Sequence, residues 1–122
     1  MLHAVCDALL GAIGAGDMGR HFPSRDPRWH GAASRVFVEE VARLVKAAGY
    51  SLGNLDVTVV AQEPVLAPHL DAMRELIAGL LGARADCVSV KAKSSDHLGA
   101  LGRGEGIAAF ATVLLVKENK DS

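Results

Sequence analysis

The sequence has 122 residues, of which 50% are hydrophobic and 22% are charged; this is the balance of one folded domain and excludes a disordered or low-complexity chain. Its net charge of −1 provides no long-range field for a nucleic acid or an anionic membrane surface, so neither is expected as a partner. The longest apolar stretch, residues 106–116, is shorter than the roughly 20 residues that a membrane span requires.

The two cysteines, Cys6 and Cys87, form no CxxC pair. This predicts a reducing, cytoplasmic setting and excludes a disulfide scaffold or a cysteine-rich zinc site. No charged segment followed by an apolar one opens the chain, so no signal peptide is expected.

Apolar residues at three- and four-residue spacing predict a first helix; they are Leu2, Val5, Cys6, Leu9, Leu10 and Ile13. No capping Ser, Thr, Asp or Asn precedes this pattern, so we expect that the natural chain starts earlier. Residues 14–19 end the helix. Residues 22–27 are expected to form an irregular loop, because each proline restricts the residue before it.

A second helix is predicted for residues 32–48, with Val36, Phe37, Val41, Leu44, Val45 and Ala48 as its apolar stripe. Gly49 is a suitable C-terminal cap. Residues 54–62 read as a strand, residues 70–81 as a third helix closed by Gly82, and residues 87–92 and 107–116 as two further strands. This order indicates an α+β or α/β fold, and we predict a single α+β domain with a mixed sheet covered by helices on one face.

His3, Cys6 and Asp7 lie at helical spacing and could meet a metal together. By itself this spacing is more typical of a surface pair, and Cys6 belongs to the apolar stripe. The other histidines show no spacing for a shared metal; they are His21, His30, His69 and His97.

Three polar loops are better candidates for binding chemistry. In residues 16–26, Asp17 and Asp26 accompany Arg25; residues 61–67 follow a strand; residues 93–96, with Arg103, offer two hydroxyls and two cations that suit a phosphate. Each of these loops could equally be a plain structural turn. A GxxxxGK[ST] phosphate loop is absent from the sequence.

Six segments in this order resemble one known family: residues 7–12 (DALLGA), 16–19 (GDMG), 22–27 (FPSRDP), 49–56 (GYSLGNLD), 61–64 (AQEP) and 102–108 (GRGEGIA). They are similar to 2-C-methyl-D-erythritol 2,4-cyclodiphosphate synthase over almost the whole chain. The resemblance implies a lyase of the non-mevalonate isoprenoid pathway, which converts 4-diphosphocytidyl-2-C-methyl-D-erythritol 2-phosphate to the cyclic diphosphate and releases CMP. It also implies a homotrimer with active sites between subunits, a zinc ion, and magnesium or manganese on the diphosphate.

The resemblance also implies a role for individual residues. His3 corresponds to a metal ligand, and Ser94 to the hydroxyl that stabilises the transition state. The substrate-binding set comprises the methylerythritol segment Asp17, Met18 and Gly19, the following loop Phe22, Pro23, Ser24, Arg25 and Asp26, the cytidine loop Ala61, Gln62, Glu63, Pro64, Val65, Leu66 and Ala67, the phosphate segment Lys93, Ser94, Ser95 and Asp96, and Ala100 with Arg103.

The sequence departs from the family pattern in several places. An Asp-x-His strand with two metal ligands and a loop with a His-Ser pair are not in the sequence, so residues 1–122 are expected to form an N-terminally shortened synthase domain. Val65 replaces a lysine, Ala100 replaces an aromatic residue, and residues 93–95 replace a threonine-rich run. The alternatives are a catalytically inert trimeric module that binds cytidine nucleotides, or an unrelated α+β domain, which six ordered motifs argue against.

Overall fold

The computed structural model of the chain describes residues 1–23, 26–28, 31–61, 67–94 and 107–118. The helices are α1 (Leu2–Ala12), α2 (Met18–His21), α3 (Ser34–Ala47) and α4 (Leu70–Leu81), and the strands are β1 (Tyr50–Ala61), β2 (Val88–Lys93) and β3 (Ile107–Lys117). Two 3₁₀ turns, Ala67–His69 and Ala85–Cys87, precede α4 and β2. The described residues contain no helix that is long and apolar enough to cross a membrane.

The three strands form one mixed sheet in the order β2-β1-β3. β1 runs parallel to β2, with Leu55 opposite Val88, and antiparallel to β3, with Ala61 opposite Ile107. A parallel pair requires a crossover, and α4 supplies it between β1 and β2. The predicted α+β domain with a mixed sheet is therefore confirmed.

The core lies between the helices and one face of this sheet. Leu55, Val57 and Val59 alternate along β1 and are buried, as a strand with one covered face requires. They pack with the buried stripe of α1, which contains Val5, Cys6, Leu9 and Leu10, and with buried residues of α3, α4 and β2, namely Val38, Val41, Val45, Ile77, Ala78 and Val88. The apolar stripe predicted for α1 is correct.

The predicted stripe of the second helix is wrong in part. Val38, Val41 and Val45 form the buried line of α3, whereas Val36 and Ala48 are exposed. A helix turns 100° per residue, so the three- and four-residue steps from Val38 to Val41 and Val45 keep one direction, and Val36 points elsewhere. On α4, Leu76 is likewise half-exposed, at 50%.

The second face of the sheet is left uncovered by the described helices. Its β1–β2 half is polar, and Lys91 Nζ lies 2.8 Å from Asp56 Oδ2. Its β3 half is apolar, with Phe110, Leu114 and Val116 exposed by 63%, 61% and 50%. The protein therefore has an apolar strip beside a polar one on the same open face.

Candidate active site

The first part of the site is the connection between α1 and α2. Asp17 is the N-cap of α2, and its Oδ1 accepts a hydrogen bond of 3.1 Å from the Arg20 backbone N–H. Asp7 lies in α1, and its Oδ1 accepts a 2.9 Å hydrogen bond from the Met18 backbone N–H. Two carboxylates thus hold the start of α2, a short helix that we did not predict from the sequence.

His21 and Ala15 hold this connection from its other side. The His21 Nε2 and the Ala15 carbonyl oxygen are 2.6 Å apart, a bond in which the ring nitrogen donates and the carbonyl accepts. His21 is therefore a hydrogen-bonding histidine that stabilises this connection.

Three rings join His3 to the predicted loop 22–27. The His3 imidazole is exposed on the first turn of α1, and its centroid lies 6.0 Å from that of Phe37 of α3 in an edge-to-face arrangement. Phe37 in turn lies 5.0 Å from the buried Phe22. Edge-to-face arrangements are favourable for ring pairs, so these contacts connect the first turn of α1 to α3 and to Phe22.

Asp26 forms an ion pair with Arg28. Its carboxylate accepts hydrogen bonds from the Arg28 guanidinium, the shortest being 2.9 Å, and also from the Arg28 backbone N–H. These hydrogen bonds lower the pKa of the Asp26 carboxyl below its ordinary value. The Pro23 carbonyl also accepts a 2.9 Å hydrogen bond from the Asp26 backbone N–H. Asp26 thus has local partners on both sides, which supports its structural interpretation.

The second part of the site is one edge of the sheet. Val60 lies opposite Lys93 in the parallel pair, and Ala61 lies opposite Ile107 in the antiparallel pair. The carboxyl ends of β1 and β2 and the beginning of β3 therefore lie side by side. Ala61 is the last residue of β1. Lys93 is the last residue of β2 and Ser94 follows it, and both are exposed.

The structure thus brings the predicted residues into two groups. His3, Asp17, Met18, Gly19, Phe22, Pro23 and Asp26 belong to the helical group, and Ala61, Lys93 and Ser94 to the sheet edge. Ala67 begins the 3₁₀ turn before α4. The remaining predicted residues lie outside the described residues; they are Ser24, Arg25, Gln62, Glu63, Pro64, Val65, Leu66, Ser95, Asp96, Ala100 and Arg103.

His3 is the residue predicted to bind a metal. Within the described ranges, no group of three His, Cys, Asp or Glu side chains is arranged to hold a metal ion. Cys6 is fully buried in the core, and burial together with the neighbouring Asp7 carboxylate raises the pKa of its thiol to about 11. The Cys6 side chain packs among the buried residues of the core, so its interpretation as a core residue is correct.

A cavity of about 640 Å³ lies elsewhere, where α3 and α4 end and β1 begins. Arg43, Lys46 and Arg84 are among the residues that line it. None of its described lining residues is a predicted site residue, and it lies at the end of β1 opposite Ala61. This cavity is therefore separate from the candidate site.

Sequence reasoning missed two of the contacts that shape the site. The spacing on α1 indicates a metal ligand, a surface pair or a cap for Asp7, and the apolar pattern places Phe37 in the stripe of the second helix; neither pattern predicts the residue that each one contacts. Both make contacts to residues distant in the chain, Asp7 to Met18 and Phe37 to His3. The exposed position of Asp7 opposite the apolar stripe of α1 was the one available signal.

Comparisons with known proteins identify the family. The YgbB family matches residues 1–116. A 2-C-methyl-D-erythritol 2,4-cyclodiphosphate synthase of Vibrio vulnificus is 56% identical over 117 residues, which are 96% of this chain and 74% of that protein. The chain belongs to this synthase family. The family, its phosphorus–oxygen lyase activity and its place in the non-mevalonate isoprenoid pathway are therefore as predicted.

Two further relatives put the synthase fold in context. A bifunctional enzyme IspD/IspF of Erythrobacter litoralis is 53% identical over 118 residues. These residues are 97% of this chain and 31% of that protein. The solved IspF of Plasmodium falciparum, a CDP complex, is 30% identical with a TM-score of 0.85, over 97% of this chain and 70% of that one. The described fold is thus shared with a solved member of the synthase family.

Proposed function

We propose that this chain catalyses the conversion of 4-diphosphocytidyl-2-C-methyl-D-erythritol 2-phosphate to 2-C-methyl-D-erythritol 2,4-cyclodiphosphate, with release of CMP. The observation that carries the proposal is the sheet edge. There the cytidine loop begins after Ala61, the phosphate segment begins at Lys93, and the segment containing Arg103 leads into Ile107. Paired strands hold these three ends in fixed register, so one nucleotide diphosphate can contact all three.

The reaction needs no nucleophile from the protein. An oxygen of the substrate's 2-phosphate forms a bond to the β-phosphorus, and the bond from that phosphorus to the bridging oxygen of CMP breaks. CMP departs with the bridging oxygen and its electron pair. Such phosphoryl transfer is accelerated by alignment of the two phosphates and by groups that neutralise the growing charge.

The sheet edge supplies those groups. The Ser94 hydroxyl can donate a hydrogen bond to a phosphate oxygen whose charge increases in the transition state, and the Lys93 ammonium reduces repulsion between the phosphates. Both residues are exposed where β2 ends. Backbone groups of residues 61–67 recognise cytosine, which does not require the lysine that Val65 replaces.

The helical group binds the other end of the substrate. The Asp17 carboxylate, fixed as the cap of α2, can accept hydrogen bonds from the methylerythritol hydroxyls, with Met18 and Gly19 alongside. The proposed set also includes residues 22–26, Ala100, and Arg103, which the resemblance assigns to an arginine near the substrate and the threefold axis.

The family uses a divalent metal, which we propose to be zinc, with magnesium or manganese on the diphosphate. When bound, the metal would polarise the β-phosphate. His3 is the proposed zinc ligand in this chain. A catalytic zinc site usually takes three protein ligands, whereas the described residues offer no such group, so they do not by themselves form a complete site.

The proposed assembly is a homotrimer with each active site between neighbouring subunits, and residues 1–122 form one synthase-like domain. The exposed apolar strip of β3 supports the trimer. Two cysteines without a disulfide fit a cytoplasmic enzyme.

The function is tested by replacing Ser94. We expect Ser94→Ala to lower the rate of CMP release about 100-fold, the usual effect of removing one donor to transition-state charge, while CDP still raises the melting temperature. The matched control is Ser51→Ala, since Ser51 is exposed at the other end of the sheet, and this variant should release CMP at the normal rate. CMP is measured by chromatography, and CDP binding by thermal shift and calorimetry against UDP. No effect of millimolar CDP on the folded protein would contradict the proposal.

The second candidate function is a trimeric cytidine-nucleotide-binding module without turnover. The single candidate metal ligand among the described residues favours it. The same experiment separates the two, because CDP binding without CMP release by the unaltered chain would identify the inert module.

A further inference from the structure

The exposed carboxylate of Asp7 has a partner that its own helix does not explain. α1 buries Val5, Cys6, Leu9 and Leu10, and Asp7 lies off this stripe. Its Oδ1 accepts the Met18 backbone N–H at 2.9 Å, across 11 residues of sequence. The bond therefore joins two separate elements, α1 and α2.

α2 depends on such outside support. It has four residues, too few for a helix to be stable through its own hydrogen bonds. The first backbone N–H groups of any helix lack partners inside it. Here Asp7 satisfies the N–H of Met18 and Asp17 satisfies that of Arg20. The conformation of the Asp17 segment is thus set jointly by its own cap and by α1.

We propose that Asp7 is a positioning residue that holds residues 17–19 in the conformation that binds the methylerythritol part of the substrate. The inference rests on the proposed function of that segment. Asp7 lies one helical turn after His3, so the same helix carries the candidate metal ligand and fixes the methylerythritol segment. A shift of α1 would move both together.

The role requires an acceptor atom at Oδ1 and not a negative charge. Asparagine has a carbonyl oxygen at the same place and can accept the same N–H, whereas alanine cannot. A residue that bound the metal or the substrate directly through its charge would fail in both variants. Rescue by asparagine therefore distinguishes positioning from direct contact.

The experiment compares the full chain with Asp7→Ala, Asp7→Asn and the control Asp86→Ala, since Asp86 contacts Arg84 and Cys87 in a turn at the surface. Calorimetry measures the affinity for CMP and for 2-C-methyl-D-erythritol 2,4-cyclodiphosphate. Asp7→Ala should bind the cyclodiphosphate about tenfold more weakly, as expected for a lost hydrogen bond to a charged group, and CMP within about twofold of normal. Asp7→Asn and Asp86→Ala should stay within about threefold for both ligands.

Amide hydrogen exchange of Met18 provides a readout that does not depend on any ligand. Its exchange should accelerate about tenfold in Asp7→Ala and remain protected in Asp7→Asn. An equal loss of both ligands, an unaffected cyclodiphosphate affinity, or failure of asparagine to rescue would overturn the positioning role. If the unaltered chain binds neither ligand, the proposed function fails first, and Met18 exchange still shows whether Asp7 holds α2.

Discussion

At the scale of single residues, Cys6 shows how burial decides chemistry. Its side chain is fully enclosed in the core, and loss of solvation, with a smaller contribution from the Asp7 carboxylate, raises the pKa of the thiol from 9.0 to about 11. At neutral pH the group is an uncharged, compact apolar side chain. Its spacing from His3 suggested a metal ligand, whereas its surroundings make it part of the core.

This pKa leads to a pH-dependent stability. Between pH 9 and 11 an unfolded chain loses the Cys6 proton while the folded chain keeps it, so the free energy of unfolding falls as the pH rises. The loss approaches about 2 to 3 kcal/mol over this range, at about 1.4 kcal/mol per pH unit, and is absent below pH 9. Urea denaturation at several pH values measures it.

Cys6→Ala should lose this part of the pH dependence. Its overall stability should also be lower, because removal of the sulfur atom leaves a small cavity in the core. Cys87→Ala is the control, because Cys87 is only partly buried, and it should retain the slope of the unaltered protein. Equal slopes in the unaltered chain and in Cys6→Ala would show that the buried thiol is not responsible.

At the scale of secondary structure, the long elements were predictable and the short ones were not. α1 and the buried half of β1 follow simple periodicities, so their sequences predict them. α2 depends on Asp7 and Asp17 acting from outside it, which no local pattern reveals. β1 begins at Tyr50, whereas the predicted strand begins at residue 54. The prediction starts too late because Gly53 interrupts the alternation of apolar and polar residues.

Gly53 marks an irregularity in the pairing of β1 and β3, between Leu52 and Asn54. A Cβ at this position would lie 2.9 Å from the Leu114 carbonyl oxygen, closer than real side chains allow. The glycine that obscures the strand in the sequence is therefore the residue that lets β3 approach.

Two glycines at the end of α4 provide a test with opposite signs. Gly82 ends the helix in the left-handed conformation, with φ of 64°, so Gly82→Ala should destabilise the protein by about 1 kcal/mol. Gly79 lies inside the helix, where an added Cβ meets no atom within 4 Å, so Gly79→Ala should stabilise it by about 0.5 to 1 kcal/mol. Thermal unfolding measures both, and equal signs would contradict the assigned backbone conformations.

At the scale of the whole molecule, the open face of the sheet is the feature that the sequence could indicate only indirectly. Alternation in β1 predicts two faces, and the mean hydropathy of +0.23 indicates surplus apolar surface, but strand order is needed to place that surface. The convergence of Ala61, Ser94 and Ile107 at one edge is likewise a product of topology. The family resemblance predicts which loops bind the substrate, and the pairing of β1 with β2 and β3 places the strand ends next to those loops side by side.

The proposed trimer is tested on that face. Phe110 and Leu114 are exposed by 63% and 61%, so we expect Phe110→Asp and Leu114→Asp to dissociate the assembly, because each would place a charge in a buried apolar contact. Leu76→Asp is the control, since Leu76 is 50% exposed on α4. Light scattering at micromolar concentration measures the mass. A monomeric unaltered chain, or dissociation by Leu76→Asp alone, would argue against this face as the interface.

The central position of β1 also has a consequence for synthesis. β1 precedes both of its partners in the chain, and its pairing with β3 joins Tyr50 to Lys117. In a nascent chain that has not yet reached residue 107, the backbone groups of β1 that pair with β3 therefore have no strand to bond to. Contacts of such long sequence separation slow folding. The sheet can be completed only after residues 107–117 have left the ribosome, because they form the second partner of β1.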